Sequence, residues 1–215
     1  MDLGSEGREH HLSVAHRLGP DAILIDLPIG VSPRVLSQKL LDEQSNQLIE
    51  VVAGETTILI RFTDTSNLRI EDIFAMAELI DNKLPEPSGR TVEVPVKYDG
   101  PDLERVANSC NMDIEEVVRF HTEARYVVEF IGFAPGFGYL GGLNERLHLP
   151  RLPSPRKAVP RGSVAIADRF CSIYPSSSPG GWNIIGETNL AMFDQNSDPP
   201  SLLRPGDEVL FKQCQ

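Results

Sequence analysis

The sequence predicts an α+β protein in two parts, an N-terminal split βαβ unit followed by a small, closed or nearly closed β-structure. Three observations predict it. The first 84 residues carry a strand, helix, strand, strand, helix pattern. Pro85-Glu86-Pro87-Ser88-Gly89 then breaks any regular element, with two prolines and a glycine in five residues. Beyond Tyr126, short apolar segments alternate with loops rich in glycine and proline. A length of 215 residues allows two small domains, each able to bury a core. The expected division is a lead-in over 1–17, disordered or partly ordered, an α+β domain over 18–90 and a β-rich domain over 91–215.

The elements follow in order. Ala22 to Leu27 is an apolar strand. Ser32-Pro33 supplies an N-cap and a first-turn proline for a helix carrying Val35, Leu36 and Leu40. Leu48 to Ala53 and Thr56 to Phe62, joined across Gly54-Glu55, read as a β-branched hairpin. Ile70, Ile73, Phe74, Ala77, Ile80 and Leu84 fall at helical spacing, which gives most of a split βαβ, or ferredoxin-like, layout. Thr91 to Tyr98 alternates as a strand that either completes this sheet or begins the next. Pro101 opens a helix with Leu103, Val106, Ala107 and Cys110 on one face. Asp113 and Glu116 form a capping box for another, which places Ile114, Val117, Val118 and His121 on its apolar side. Strands are then expected at Tyr126 to Phe133, Ser163 to Ala167, Trp182 to Ile185 and Glu208 to Phe211.

A net charge of −11 argues against nonspecific attraction to nucleic acid or anionic membrane. The chain has no run of eighteen apolar residues, and its start lacks the apolar core of a secretory signal, so a cytoplasmic location is expected. Cys110, Cys171 and Cys214 are odd in number and widely spaced, as reduced thiols would be.

The most unusual stretch is Gly132-Phe133-Ala134-Pro135-Gly136-Phe137-Gly138-Tyr139-Leu140-Gly141-Gly142. Its glycines and proline specify a shaped loop displaying aromatic rings. Gly136 to Gly141 formally matches a dinucleotide fingerprint, but no helix pattern follows, so that reading fails. A phosphate-binding lysine loop and a GxSxG elbow are both lacking, and no pair of His or carboxylates stands at metal-ligand spacing, so no metal site is expected. Such a chain contributes part of a site. From Glu145 to Arg169 six Lys and Arg face two acids, in an otherwise acidic protein. Arg151 and Arg156 are therefore candidates to hold a carboxylate, a phosphorylated intermediate or an acidic partner. Ser178-Pro179-Gly180-Gly181-Trp182 could offer backbone N–H donors and a hydroxyl to an anion. His121, alone on an apolar face, is first a core histidine and second a site candidate, and Trp182 is first a core anchor.

Gly132-Phe133-x-Pro135-Gly136-Phe137-x-Tyr139-Leu140-Gly141, Pro150-Arg151, Pro155-Arg156, Val159-Pro160-x-Gly162-Ser163-Val164, Ile173-Tyr174-Pro175 and Ser178-Pro179-Gly180-Gly181-Trp182-x-x-Ile185-Gly186-x-Thr188 together resemble the family of 5-oxoprolinase B subunits. That family is also known as allophanate hydrolase subunit 1 and includes a sporulation kinase inhibitor. The resemblance implies a cyclophilin-like β-barrel for the second domain. It also implies a role in ATP-dependent opening of 5-oxoproline to glutamate, performed with separate A and C subunits and with ATP and Mg acting at the level of the complex. The substrate-binding residues it implies are Arg151, Arg156, Phe133, Pro135, Phe137, Tyr139, Tyr174 and Ser178, with His121 and Trp182 second; the catalytic groups stay unassigned. Within the same resemblance stand two alternatives, a non-catalytic inhibitor that binds a histidine kinase and a subunit of an allophanate or urea carboxyl-transfer amidohydrolase. The chain departs from the family pattern at Asp168, Phe170, Cys171, Ser172 and Glu187.

Overall fold

The computed structural model describes residues 14–42, 48–63 and 89–214. The chain divides into two compact units, Met1–Glu86 and Pro87–Gln215.

The first unit is a four-stranded antiparallel sheet with one described helix. Its strands are β1 (Val14–Arg17), β2 (Ala22–Asp26), β3 (Leu48–Ala53) and β4 (Thr57–Phe62), in the order β1-β2-β4-β3. Because β2 and β3 both run antiparallel to β4, they are parallel to each other, and α1 (Pro33–Asp42) connects them: this is the split βαβ arrangement. The Ser32 hydroxyl accepts from the Val35 N–H at 3.4 Å, as its N-cap position demands. Leu36 and Leu40 then meet Ile23, Ile25, Ile58 and Ile60 in a closed apolar cluster. Residues 14–17, expected as lead-in, instead form an edge strand, Val14 pairing Asp26 and Arg17 pairing Ile23. Four residues are too few for a pattern to announce a strand; the open edge of β2 supplies the partner. The helix expected over Ile70 to Leu84 and the linker up to Ser88 lie outside the described residues. With β1 on the edge beside β2, and the strand after the linker in the other unit, the described residues stop at the split βαβ core.

The second unit holds a seven-stranded sheet. Its strands are β5 (Thr91–Val96), β6 (Tyr126–Ile131), β7 (Gly138–Gly141), β9 (Ser163–Ala167), β10 (Phe170–Ile173), β12 (Asn183–Glu187) and β13 (Glu208–Gln213), ordered β12-β9-β10-β7-β6-β13-β5. The two ends of this order nearly meet. Just beyond β5, Lys97 N–H donates to Glu187 O and Glu187 N–H to Lys97 O, both at 2.9 Å, so a single bridge joins the first and last strands. The sheet is thus a nearly closed barrel. A separate ribbon pairs β8 (Arg156–Val159) with β11 (Ser178–Gly180).

Alternation along the strands sorts side chains between two cores. Val164, Ile166, Cys171, Ile173 and Ile185 join Val94, Val96, Val128 and Phe211 in one cluster. Helices α2 (Leu103–Cys110) and α3 (Ile114–Glu123) add Leu103, Val106 and Val117 to it. The opposite faces of β9, β10 and β12 present Ala165, Ala167, Phe170 and Ile184 to a second cluster rich in aromatic rings. Helix α3 starts at the expected capping box: Asp113 accepts from the Glu116 N–H at 2.7 Å, and Glu116 accepts in return from the Asp113 N–H at 3.3 Å.

Four strands occupy sequence expected as loop. Gly138–Gly141 pairs β6 on one side and β10 on the other, and β8, β10 and β11 also form ladders. Glycine and proline have poor intrinsic strand preference, but a neighbouring strand that satisfies backbone hydrogen bonds overrides it.

Candidate functional site

On the aromatic side of the barrel lies a cleft of about 240 Å³. Its walls are the rings of Phe133, Phe137, Tyr139, Tyr174 and Trp182, and its rim carries Arg151, Pro155, Pro179, Gly180 and Gly181. The rings form an edge-to-face network with Phe137 at its hub: centroids lie 5.1 Å from Phe133, 5.2 Å from Tyr139, 5.3 Å from Tyr174 and 5.5 Å from Trp182. Such edge-to-face packing is the arrangement aromatic pairs prefer, so the rings form the wall without a ligand.

Backbone devices hold this wall in place. Phe133 has φ +67, a left-handed conformation that a bulky side chain rarely adopts, and it leaves the ring 62% exposed at the mouth. The turn is closed by the Phe137 N–H donating to Ala134 O at 2.9 Å and the Gly132 N–H donating to Phe137 O at 3.1 Å. A bulky residue in this conformation is backbone strain held by its surroundings, a pattern that concentrates at ligand sites. On the facing side, a side chain at Gly180 would collide with the Tyr174 hydroxyl. Glycine there gives that hydroxyl its room.

Among the described residues, Arg151 is the one cation on the lining. Its guanidinium carbon stands 6.0 Å from the Trp182 ring centre, and its Nε lies 3.8 Å from Asp168 Oδ2. Both of these charged side chains are 60% exposed. Burial raises the Tyr174 hydroxyl above the ordinary tyrosine range, opposed by the Trp182 backbone N–H and by Arg151. Tyr174 therefore stays protonated and can donate a hydrogen bond.

Of the residues expected to bind a ligand, Phe133, Phe137, Tyr139, Arg151, Tyr174 and Trp182 come together in the cleft, and four are placed elsewhere. Arg156 donates to Asp102 Oδ1 at 2.7 Å and to Trp182 O at 3.4 Å. Asp102 is itself buried, and its other oxygen accepts from the Ile184 N–H at 2.7 Å. Arg156 thus cross-links β8, the start of α2 and β12, and is committed to structure. Pro135 is exposed on the loop beside Phe133, outside the cleft lining. Ser178 pairs with Val159 in the ribbon, so the first three residues of the stretch expected as an open N–H nest form a strand, while Gly181 and Trp182 follow it on the cleft lining.

His121 is fully buried between two bonds, with Nδ1 2.7 Å from the Tyr98 hydroxyl and Nε2 3.2 Å from Cys171 Sγ. Its ring packs against Tyr126 and Phe211 at 5.3 and 4.5 Å. Burial lowers its pKa to about 3 and pushes the Cys171 thiol up, so both are neutral. This is a satisfied core histidine. Sequence reasoning missed Asp102 as the partner of Arg156, because 54 residues separate them and a lone acid after proline carries no pattern. The rim residues Pro155, Pro179, Gly180 and Gly181 were also missed as lining, although the two glycines stood in the expected anion loop.

Of the departures from the family pattern, Asp168 and Phe170 stand beside this cleft, whereas Cys171 belongs to the first core and Glu187 to the barrel seam. Asp168 has φ +52, a conformation that suits glycine and that Asp tolerates. The Phe170 ring meets Tyr139 at 5.5 Å behind the wall. The neighbouring Ser172 is buried, with no partner for its hydroxyl among the described residues. Glu187 forms the barrel seam with Lys97.

Comparison with known proteins fits this architecture. Residues 14–203 match the family described as carboxyltransferase domain, subdomain C and D. The B subunit of 5-oxoprolinase from Escherichia coli O157:H7 is 38% identical over 204 residues, covering 90% of this chain and 93% of that protein. The chain belongs to the family of 5-oxoprolinase B subunits. A second family relative, the 5-oxoprolinase B subunit of Bacillus subtilis (strain 168), is 50% identical over 129 residues, covering 59% of this chain and 54% of that protein. Among solved structures, TTHA0988 superposes with a TM-score of 0.76 at 33% identity over 91% of this chain, which spans only 40% of that one. The Kluyveromyces lactis urea carboxylase shares the fold alone, with a TM-score of 0.73 at 20% identity over 94% of this chain and 22% of that one. Among the described residues of this family member, no helix is long and apolar enough to cross a membrane.

Proposed function

We propose that this chain is the B subunit of a multi-protein, ATP-dependent 5-oxoprolinase that opens 5-oxoproline to glutamate in the cytoplasm. The observation that carries the reading is Arg151 at the rim of an aromatic-walled cleft, in a chain whose relatives are named as B subunits of 5-oxoprolinase. A small, flat ring bearing one carboxylate suits such a site: the guanidinium forks onto the carboxylate while the ring lies against Trp182 and Phe137. Tyr174 donates to a ring carbonyl, and the surrounding rings exclude water from a lactam that must be activated before water attacks it.

Mg-ATP does not fit the cleft. Its lining offers aromatic rings, prolines, glycines and one cation, with no carboxylate among the described residues to hold Mg beside a nucleotide's phosphates. The nucleotide is therefore assigned to the complex, where it supplies the activation of the lactam, and the A and C subunits complete the site. Phe133 and Pro135, exposed beside the mouth, form the face offered to one of them.

The test is reconstitution with both partner subunits and an assay of glutamate release from 5-oxoproline with and without ATP. ATP-dependent release is expected only from the full set, with Arg151→Ala lowering kcat/KM by about a hundredfold, the scale of a lost charged contact. Undiminished turnover by Arg151→Ala would remove the cleft from the mechanism. A stable complex that carboxylates urea instead would favour the carboxyl-transfer alternative.

A further inference from the structure

The cation on the cleft lining faces a carboxylate of the protein's own. Asp168 and Arg169 form the two-residue turn between β9 and β10, whose flanking residues Ala167 and Phe170 are paired. The Asp168 N–H donates to Leu149 O at 2.7 Å, which pins the turn beside the strand of chain leading to Arg151. The two turn side chains go to different partners. Arg169 is held by both oxygens of Glu129, at 2.7 and 2.8 Å, and lies 4.1 Å over the Phe170 ring. Asp168 is left facing Arg151 at 3.8 Å.

That distance is an ion pair too long for a hydrogen bond, between side chains that are both more than half exposed. Such a pair is weak and exchanges readily. A ligand carboxylate can receive two parallel N–H bonds from the same guanidinium, a better arrangement than Asp168 offers. A neutral ligand has nothing with which to displace it.

We propose that Asp168 sets the affinity of the cleft for carboxylates: it is an internal carboxylate that holds the Arg151 guanidinium until a ligand carboxylate takes its place. The inference rests on the reading of the cleft as a carboxylate site. It assigns Asp168 one effect, lowering affinity for every carboxylate while leaving that for uncharged analogues unchanged. A polar residue at φ +52 is tolerated as Asn as well as Asp, so the carboxylate can be removed without disturbing the turn.

Trp182 is the chain's single tryptophan and lies in the cleft wall, so its emission reports ligand entry directly. The experiment titrates 5-oxoproline, its carboxamide and benzoate into wild type, Asp168→Asn, Arg151→Ala and the double variant, following Trp182 fluorescence. It also measures KM for 5-oxoproline in the reconstituted complex. Asp168→Asn is expected to tighten carboxylate binding about two- to fivefold, the scale of one exposed ion pair. It leaves the carboxamide unaffected, and the gain vanishes when Arg151 is Ala. A gain for benzoate without binding of 5-oxoproline supports the exchange and removes the proposed substrate. Binding of 5-oxoproline that Asp168→Asn leaves unchanged or weakens, a gain that persists without Arg151, or no carboxylate response and no KM change in any variant each overturns the role of Asp168.

Discussion

His121 shows how one residue's surroundings set its chemistry. Tyr98 and Cys171 satisfy both ring nitrogens, while Val117, Tyr126 and Phe211 exclude water, so the ring stays neutral with its pKa near 3. The unfolded chain would protonate the same ring at about 6.5. Between these values the unfolded state binds the extra proton, so the stability from His121 is whole above pH 6.5 and is lost as pH falls toward 3. Its slope approaches about 1.4 kcal/mol per pH unit. The Tm should therefore fall between pH 6.5 and 4.5, and His121→Gln should flatten that component while lowering Tm at pH 7. An unchanged slope would place the ring in contact with water. At the cleft, Tyr174 and Gly180 are a matched pair, since the hydroxyl occupies the space that any side chain at 180 would need.

Among the elements, the ribbon of β8 and β11 depends on one buried carboxylate. Asp102 joins the start of α2 to Ile184 on β12 and to Arg156 on β8, at 2.7 Å in each case. Because Asp102 is 5% exposed, losing its charge leaves the half-buried Arg156 without its counter-ion. Asp102→Asn keeps an acceptor for the Ile184 N–H and should cost about 2–3 kcal/mol in urea denaturation. The same variant should perturb Trp182 emission, since the Trp182 carbonyl also accepts from Arg156. Loss of less than about 0.5 kcal/mol, the usual range for a surface change, would mean that the pair is dispensable.

At the scale of the whole molecule, the barrel closes at a narrow seam. A side chain at Gly186 would stand 2.5 Å from Lys97 O and 2.9 Å from Val96 Cγ1, so glycine is required where the last strand meets the first. Gly186→Ala should force the seam apart, with hydrogen exchange at the Lys97 and Glu187 amides speeding up more than at the β9–β10 ladder. The cleft lies within Pro87–Gln215, on the face of β9, β10 and β12 away from the first core. If exchange rises equally across all strands, the seam is not a separate opening unit.

Local chemistry in the sequence determined a good deal. Ser32-Pro33 and the Asp113–Glu116 box started helices where capping requires them, and β-branched runs gave β2, β4, β9 and β12 close to their expected positions. The run of Gly132 to Gly142 was legible as a displayed aromatic loop, because glycine and proline restrict what the backbone can do, and its rings do line the cleft. The tertiary structure decided what depends on partners distant along the chain. It made strands of Gly138–Gly141 and Ser178–Gly180, since a ladder partner outweighs poor intrinsic preference. It also separated two arginines that look equivalent in sequence. Arg156 is bound by an aspartate 54 positions away, whereas among the described residues the carboxylate that Arg151 meets is the weakly placed one of Asp168, which leaves Arg151 available at the cleft, because ion-pair geometry is set by the fold and not by spacing.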